Sequence, residues 1–278
     1  MAYTAADVKR LREETDAPMM ECKTALEEAD GDFERAKQIL REKGKAAAAK
    51  RADRSTSAGL VSVAVSDDGH RAGGVVIECE TDFVAKNEEF QKLAQRLAEA
   101  FRDSDFEDPN TLEVDGKTVA THIEEAVAKI RENIRLARAV HVESDFMLKG
   151  YEHHTGMAGA IVEVQGASQD EHTEIARTLA VQVVAMNAKF TAKDEIPASL
   201  IEAEIEVETQ RAINEGKNPD MARQIAQGRV HKEYIKQYVL LEQPFYKEQS
   251  KSVSQYLAEV AKDLKVCKMW SLAVGADA

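Results

Sequence analysis

The chain has 278 residues, enough for about two domains, and its 44% hydrophobic content is that of a folded protein with a sizeable core. Lys+Arg of 37 against Asp+Glu of 50 leaves a formal charge of -13, which disfavours broad nucleic-acid binding, because that needs clustered positive charge, and points to a protein partner. Cys22, Cys79 and Cys267 are too scattered for a disulfide framework or zinc ribbon, and with no apolar signal core and no run near the ~20 apolar residues of a membrane span, a cytoplasmic protein is expected.

Thr4 and Asp7 can cap a first short helix with Val8 and Leu11 inward, and Pro18 suits the first turn of a second whose Met19, Cys22 and Leu26 share a face. Asp32 can cap a third helix, with Phe33, Ala36 and Leu40 on its stripe and Gly44 at its end. Residues 1–45 therefore read as a three-helix, UBA-like module, and 46–58, without a large apolar residue, as a solvated linker or frayed helix. So short a module has a thin core, which leaves apolar surface for a partner.

From Leu60 the period changes to that of strands. Val61, Val63 and Val65, the turn residues Ser66 to Gly69, and Gly74 to Ile77 predict a hairpin. Phe90, Leu93, Leu97 and Phe101 then predict a helix, with another around 119–134. A second passage echoes the first: Leu136 to Val142 and Met157 to Val164 are strand-like, and Ile175, Leu179 and Val183 form a helical stripe. The expected fold is α+β, a duplicated core of antiparallel strands with halves at 59–140 and 141–275. The second half carries an antiparallel helical hairpin at about 198–240, broken by Gly216 to Pro219, with Ile201, Ile205, Ala212, Ile225, Val230 and Tyr234 along its seam.

The string Glu80-Thr81-Asp82-Phe83-Val84-Ala85-Lys86-Asn87 sits where a buried strand gives way to the Phe90 helix, a place where a rigid scaffold can present a side chain to another protein. Asp-Phe alone is uninformative, since it recurs at Asp32, Asp105 and Asp145, and a lone Phe here reads first as a core aromatic. The longer string resembles the signature of the elongation factor Ts family. Leu11 to Leu26, containing Arg12, Thr15, Met19, Met20, Cys22 and Lys23, is similar to a second family signature, and Leu241-Glu-Gln-Pro-Phe245 to a third. Departures are Pro18 in place of a small residue, Glu78 in place of the commoner Asn, and a loosely similar stretch from Val266 to Gly275. Longer relatives continue into a further helix, so partner contacts from that helix are expected to be missing.

The resemblance implies a guanine-nucleotide exchange factor for elongation factor Tu, not an enzyme, needing no cofactor, metal, nucleic acid or membrane. It assigns Asp82 and Phe83 to a wedge beside the GTPase's magnesium and phosphate site, with Thr81 and Val84 fixing its presentation. Arg12, Met19, Met20 and Lys23 would touch another face of the GTPase domain, and His153 the partner's third domain. From residue types alone, one of the paired methionines should face the core, and His153 with His154 lacks the spaced partners of a metal site. An enzyme is disfavoured by the absence of a phosphate-binding Gly-Lys-Ser/Thr loop, a serine elbow and a zinc-binding helix. A non-catalytic interaction adaptor is the remaining alternative.

Overall fold

The computed structural model describes residues 3–15, 17–166 and 172–276. Helix α1 (Ala5–Thr15) starts where the Thr4 amide and hydroxyl both donate to the Asp7 carboxylate and the Asp7 amide donates back to the Thr4 hydroxyl. This reciprocal cap satisfies donors that a helix start leaves unpaired. Helix α2 (Met19–Glu28) follows Pro18, and α3 (Phe33–Ala49) follows Asp32, whose carboxylate accepts from the Arg35 amide at 2.9 Å. Val8, Leu11, Cys22, Leu26, Ala36 and Leu40 close into one small core, giving the expected three-helix unit.

Two expectations for this unit are corrected. Gly44 does not end α3, which runs on to Ala49. A side chain at Gly44 would lie 3.2 Å from the Ala128 Cβ, so glycine here allows close approach to a later helix rather than a turn. Met19 does not share the buried face of Cys22 and Leu26: it is 42% exposed and Met20 is 69% exposed, so neither methionine enters the core. Helical side chains lean toward the N-terminus, and at the first residue of α2 that lean carries Met19 past the edge of the small core.

Strands β1 (Ala58–Val65) and β2 (Arg71–Cys79) form the predicted hairpin, and the chain leaves β2 through a single helical turn, α4 (Asp82–Ala85), into α5 (Glu88–Asp103). A two-residue ladder, β3 (Glu113–Val114) with β4 (Lys117–Thr118), precedes α6 (Val119–Ile130), after which β5 (Ile134–Glu143) returns antiparallel to β2. The first sheet thus has the order β1-β2-β5. The second half repeats the plan. Strands β6 (Met147–Glu152) and β7 (Ala158–Gln165) pair antiparallel, α7 (Thr173–Ala185) follows, and the last strand of the chain lies antiparallel on the other side of β7.

Between α7 and that strand lies the helical insertion: α8 (Ala198–Asn214), α9 (Pro219–Arg229), a π-helical segment at Val230–Tyr234 and α10 (Ile235–Tyr238). Its seam is narrow and irregular, as the spacing of its apolar residues predicts, with Ile201 and Tyr234 packed at its edge. Ile205, Ala226 and Val230 form the buried contact and Ala212 and Ala222 are also buried, while Ile225 is only half-buried, because alanines let two polar helices approach closely. A short ladder, β8 (Pro244–Phe245) with β9 (Glu248–Ser252), then leads to α11 (Val253–Val260) and the final strand β10 (Lys265–Ala273), in the order β10-β7-β6. The Leu241 to Phe245 motif anchors the insertion. Fully buried Gln243 donates to the carbonyls of Met186 and Gln237 and accepts from Gln182, whose own amide oxygen accepts from the Tyr246 amide.

The two sheets pack face to face through Val61, Ala72, Val76, Val140 and Val142 against Leu148, Ile161 and Leu272. Helices α5 and α6 cover the outer face of the first sheet, and α7 and α11 that of the second. Strand β2 is consequently buried on both faces, with Val75, Ile77 and Cys79 toward α5 and Ala72 and Val76 toward the other sheet. At Gly73 the backbone of α5 comes so close that a Cβ would stand 2.2 Å from the Ala98 carbonyl oxygen and 2.3 Å from the Arg102 nitrogen. Among the described residues no helix is long and apolar enough to cross a membrane.

Candidate functional site

The end of β2 is heavily tied to its surroundings. Glu78 is buried and accepts from three residues: the Thr56 hydroxyl at 2.9 Å, the Arg135 guanidinium at 2.6 and 2.8 Å, and the Gly275 amide at 3.0 Å. Burial by itself would raise its carboxyl, but the Gly275 amide, the Thr56 hydroxyl and Arg135 outweigh that and hold it below the ordinary range. One buried carboxylate therefore joins the segment before β1, strand β5 and the residues just after β10 at a single point.

Two residues on, Glu80 accepts from the Asn133 amide at 2.6 Å and from Arg54 at 3.3 Å, and that amide, with Arg54 next, lowers its carboxyl. Buried Asn133 donates from its side chain to the Ala52 and Arg54 carbonyls. Thr81 is held from behind by Glu132, whose two carboxylate oxygens accept from the Thr81 amide at 3.0 Å and from its hydroxyl at 2.6 Å. The same hydroxyl accepts from the Val84 amide and so caps α4. Beneath it, the Cys79 thiol donates to the Thr81 carbonyl, and burial, then the nearby Glu132 carboxylate, pushes its pKa up to about 11, so it stays protonated.

On this footing Val84 packs inward against the α5 core while Asp82 and Phe83 point outward. Phe83 is 81% exposed, in contrast to Phe90 and Phe101, which are buried within the following twenty residues of chain. Lys86 donates to Asp82 at 2.6 Å and lowers its carboxyl. Both partners are exposed, so the pair is weak and readily exchanged for another contact. Asn87 caps α5 by accepting from the Glu89 and Phe90 amides, which fixes where the four-residue turn ends. The arrangement is an apolar side chain and a carboxylate, side by side on a braced turn.

Arg12, Met19, Met20 and Lys23 are all exposed at the α1–α2 corner, where Lys23 pairs with Glu27 at 3.9 Å. The helical unit is attached to the core by an ion pair from Glu21 of α2 to Arg131 and by one from Lys45 of α3 to Glu124 at 3.2 Å. His153 lies half-buried in the β6–β7 turn, its Nδ1 2.7 Å from the Thr155 hydroxyl and its ring against His154. This turn meets the first sheet at the Gly156 carbonyl, which accepts from the Val61 amide. Because Ala58 at the start of β1 pairs with Cys79, the His153 turn and the Asp82-Phe83 turn occupy the same end of the stacked sheets. Among the described residues no three His, Cys, Asp or Glu side chains gather as a metal-binding set.

Glu132 and Asn133 escape sequence reading, because a carboxylate about fifty residues from the threonine it holds has no local periodic signal. The helix predicted around 119–134 also runs through both positions, whereas α6 ends at Ile130 and Arg131 takes the left-handed conformation at φ 68.

The family model described as Elongation factor TS matches residues 80–276, a span that opens at the braced turn. An elongation factor Ts from Aquifex aeolicus is 38% identical across 99% of each chain. One from Clostridioides difficile, at 41% over 98% of this chain and 92% of that one, extends the likeness through the helical unit, and one from Nocardia farcinica is 43% identical over 92% and 93%. With the duplicated core, the braced Thr81 to Val84 turn and relatives aligned almost end to end, the chain belongs to the elongation factor Ts family of translation elongation factors.

Proposed function

We propose that this protein is a guanine-nucleotide exchange factor that binds elongation factor Tu carrying GDP and promotes GDP release, so that GTP can rebind during translation elongation. It acts in the cytoplasm as a binding partner, without a substrate-converting site of its own. The observation that carries the reading is Phe83, 81% exposed on a turn whose backbone and cap are held by buried or half-buried groups. An exposed aromatic on a rigid mount is suited to insertion, because little conformational freedom is lost when it docks.

In this reading Phe83 fills an apolar pocket of the GTPase while Asp82, released from Lys86, disturbs the network around magnesium and phosphate. Thr81 and Val84 hold the pair in register. Arg12, Met19, Met20 and Lys23 grip another face of the GTPase domain, and His153 approaches the third domain. The extra grips follow from magnitude. A nanomolar nucleotide that binds at about 10⁶ M⁻¹s⁻¹ leaves at about 10⁻³ s⁻¹, and weakening it a thousandfold requires about 4 kcal/mol. Burying one Phe contributes roughly 1.5 to 3 kcal/mol, so the remaining differential binding comes from the helical unit and the second half of the core.

The test is stopped-flow release of a fluorescent GDP analogue from purified elongation factor Tu over a range of concentrations of this protein. Acceleration that saturates is expected, and by reciprocity GDP weakens the complex by the same factor that this protein weakens GDP. A stable complex with unchanged GDP release would reject exchange and leave the adaptor role.

A further inference from the structure

We infer that Glu132 is a positioning residue for the wedge, and that it sets the posture of Phe83 by holding Thr81 from outside the signature. The inference rests on the exchange reading above. Thr81 joins the end of β2 to the exposed turn, and both its amide and its hydroxyl donate to the two oxygens of one carboxylate, at 3.0 and 2.6 Å. A two-point hold fixes both the rotation and the position of the residue. The hydroxyl, once its proton is committed to Glu132, offers its lone pair to the Val84 amide and closes the turn that carries Asp82 and Phe83.

Glu132 is itself fixed from both sides. Before it, Arg131 sits at φ 68, a conformation disfavoured for a side chain with a Cβ, and is retained there by the hydrogen bond its amide donates to the Val127 carbonyl and by its ion pair to Glu21 of α2. After it, Asn133 is buried, bonded through its amide to Glu80 and through its side chain to the Ala52 and Arg54 carbonyls. A disfavoured backbone that neighbours hold on every side is what a chain needs to turn one carboxylate back toward a distant loop. Through Glu21 the same segment reaches the helical unit, so the partner-facing corner at Met19 and Met20 and the wedge share one short path of direct contacts.

The experiment uses the full-length protein with Glu132→Ala and Glu132→Gln, each also combined with Phe83→Ala. The glutamine variant keeps one acceptor oxygen, so a graded loss is expected. Amide hydrogen exchange in the free protein reads the hold directly: protection at Thr81 to Val84 should fall in the alanine variant and fall less in the glutamine variant, with β2 and α5 unchanged. GDP release from elongation factor Tu should slow by about tenfold or more in Glu132→Ala, the scale of a misplaced contact, yet by less than about twofold when Phe83 is already alanine, because a positioning residue acts only through what it positions.

Unchanged protection at Thr81, or equal losses in the presence and absence of the Phe83 side chain, would overturn the inference. If the wild-type protein itself leaves GDP release unaccelerated, the exchange reading falls and this role falls with it. The hydrogen-exchange result then still separates the two failures, because it reads the hold without a GTPase.

Discussion

Truncating Phe83 to alanine separates a side chain kept for a partner from one kept for the fold. Full burial of a Phe contributes about 1.5 to 3 kcal/mol. With Phe83 81% exposed, the free protein realises only about a fifth of that, ~0.3 to 0.6 kcal/mol, and the remaining ~1.2 to 2.4 kcal/mol is available to a complex. At about 1.36 kcal/mol per decade the variant should lose about 8- to 60-fold in the second-order rate constant for GDP release from elongation factor Tu. Its stability, read from the urea midpoint, should remain within about 0.5 kcal/mol of wild type. Phe90→Ala is the contrast: its ring is 1% exposed, and its loss should cost about 3 to 5 kcal/mol of stability. A Phe83→Ala protein that is markedly destabilised, or one that accelerates GDP release like wild type, would refute the reasoning.

Glu78→Gln should cost about 1 to 3 kcal/mol near neutral pH, since a neutral amide cannot serve Arg135, Thr56 and Gly275 together. The folded carboxyl lies below its ordinary 4.5, so its contribution is present above that value and fades as the pH falls through the lower folded one; urea melts of wild type and variant should therefore converge in acid. Gly73→Ala should cost about 3 kcal/mol or more, because the added carbon meets the α5 backbone rather than a movable side chain, and a denaturation midpoint close to wild type would contradict the packing. Gln243→Leu leaves the Met186 and Gln237 carbonyls without their donor and takes from the Gln182 amide one of its two acceptors, the Pro244 carbonyl being the other, and about 2 to 4 kcal/mol should be lost, with proteolysis appearing first in the α8–α9 insertion.

The hairpin β1–β2 and the helix α5 were legible because each carries its own period: valines at every second residue, then Phe90, Leu93, Leu97 and Phe101 at helical spacing. The duplication was visible for the same reason, as the strand, strand, helix order recurs, and in each sheet a third strand closes on the far side of the hairpin's second. Short ladders such as β3–β4 and β8–β9 were not, since β3, β4 and β8 have two residues each and two residues hold no period. Gly44 misled because glycine signals both a helix end and a close helix contact, and only the position of Ala128 decides between them. Met19 misled because a helical stripe gives direction around the axis but not whether a neighbour exists at that height.

From residues alone followed the fold class, the order of the units, and a resemblance that drew attention to Thr81 through Val84. Tertiary structure alone decided that Phe83 is outside while Phe90 is inside, that Glu132 and Asn133 hold the turn between them, and that the His153 turn shares its end of the sheets. The reason is one of range. Periodicity, capping and turn chemistry act over a few residues and are written in the local sequence. Which carboxylate reaches which amide across about fifty residues depends on how two sheets and their helices stack, and that is settled only when the whole core closes.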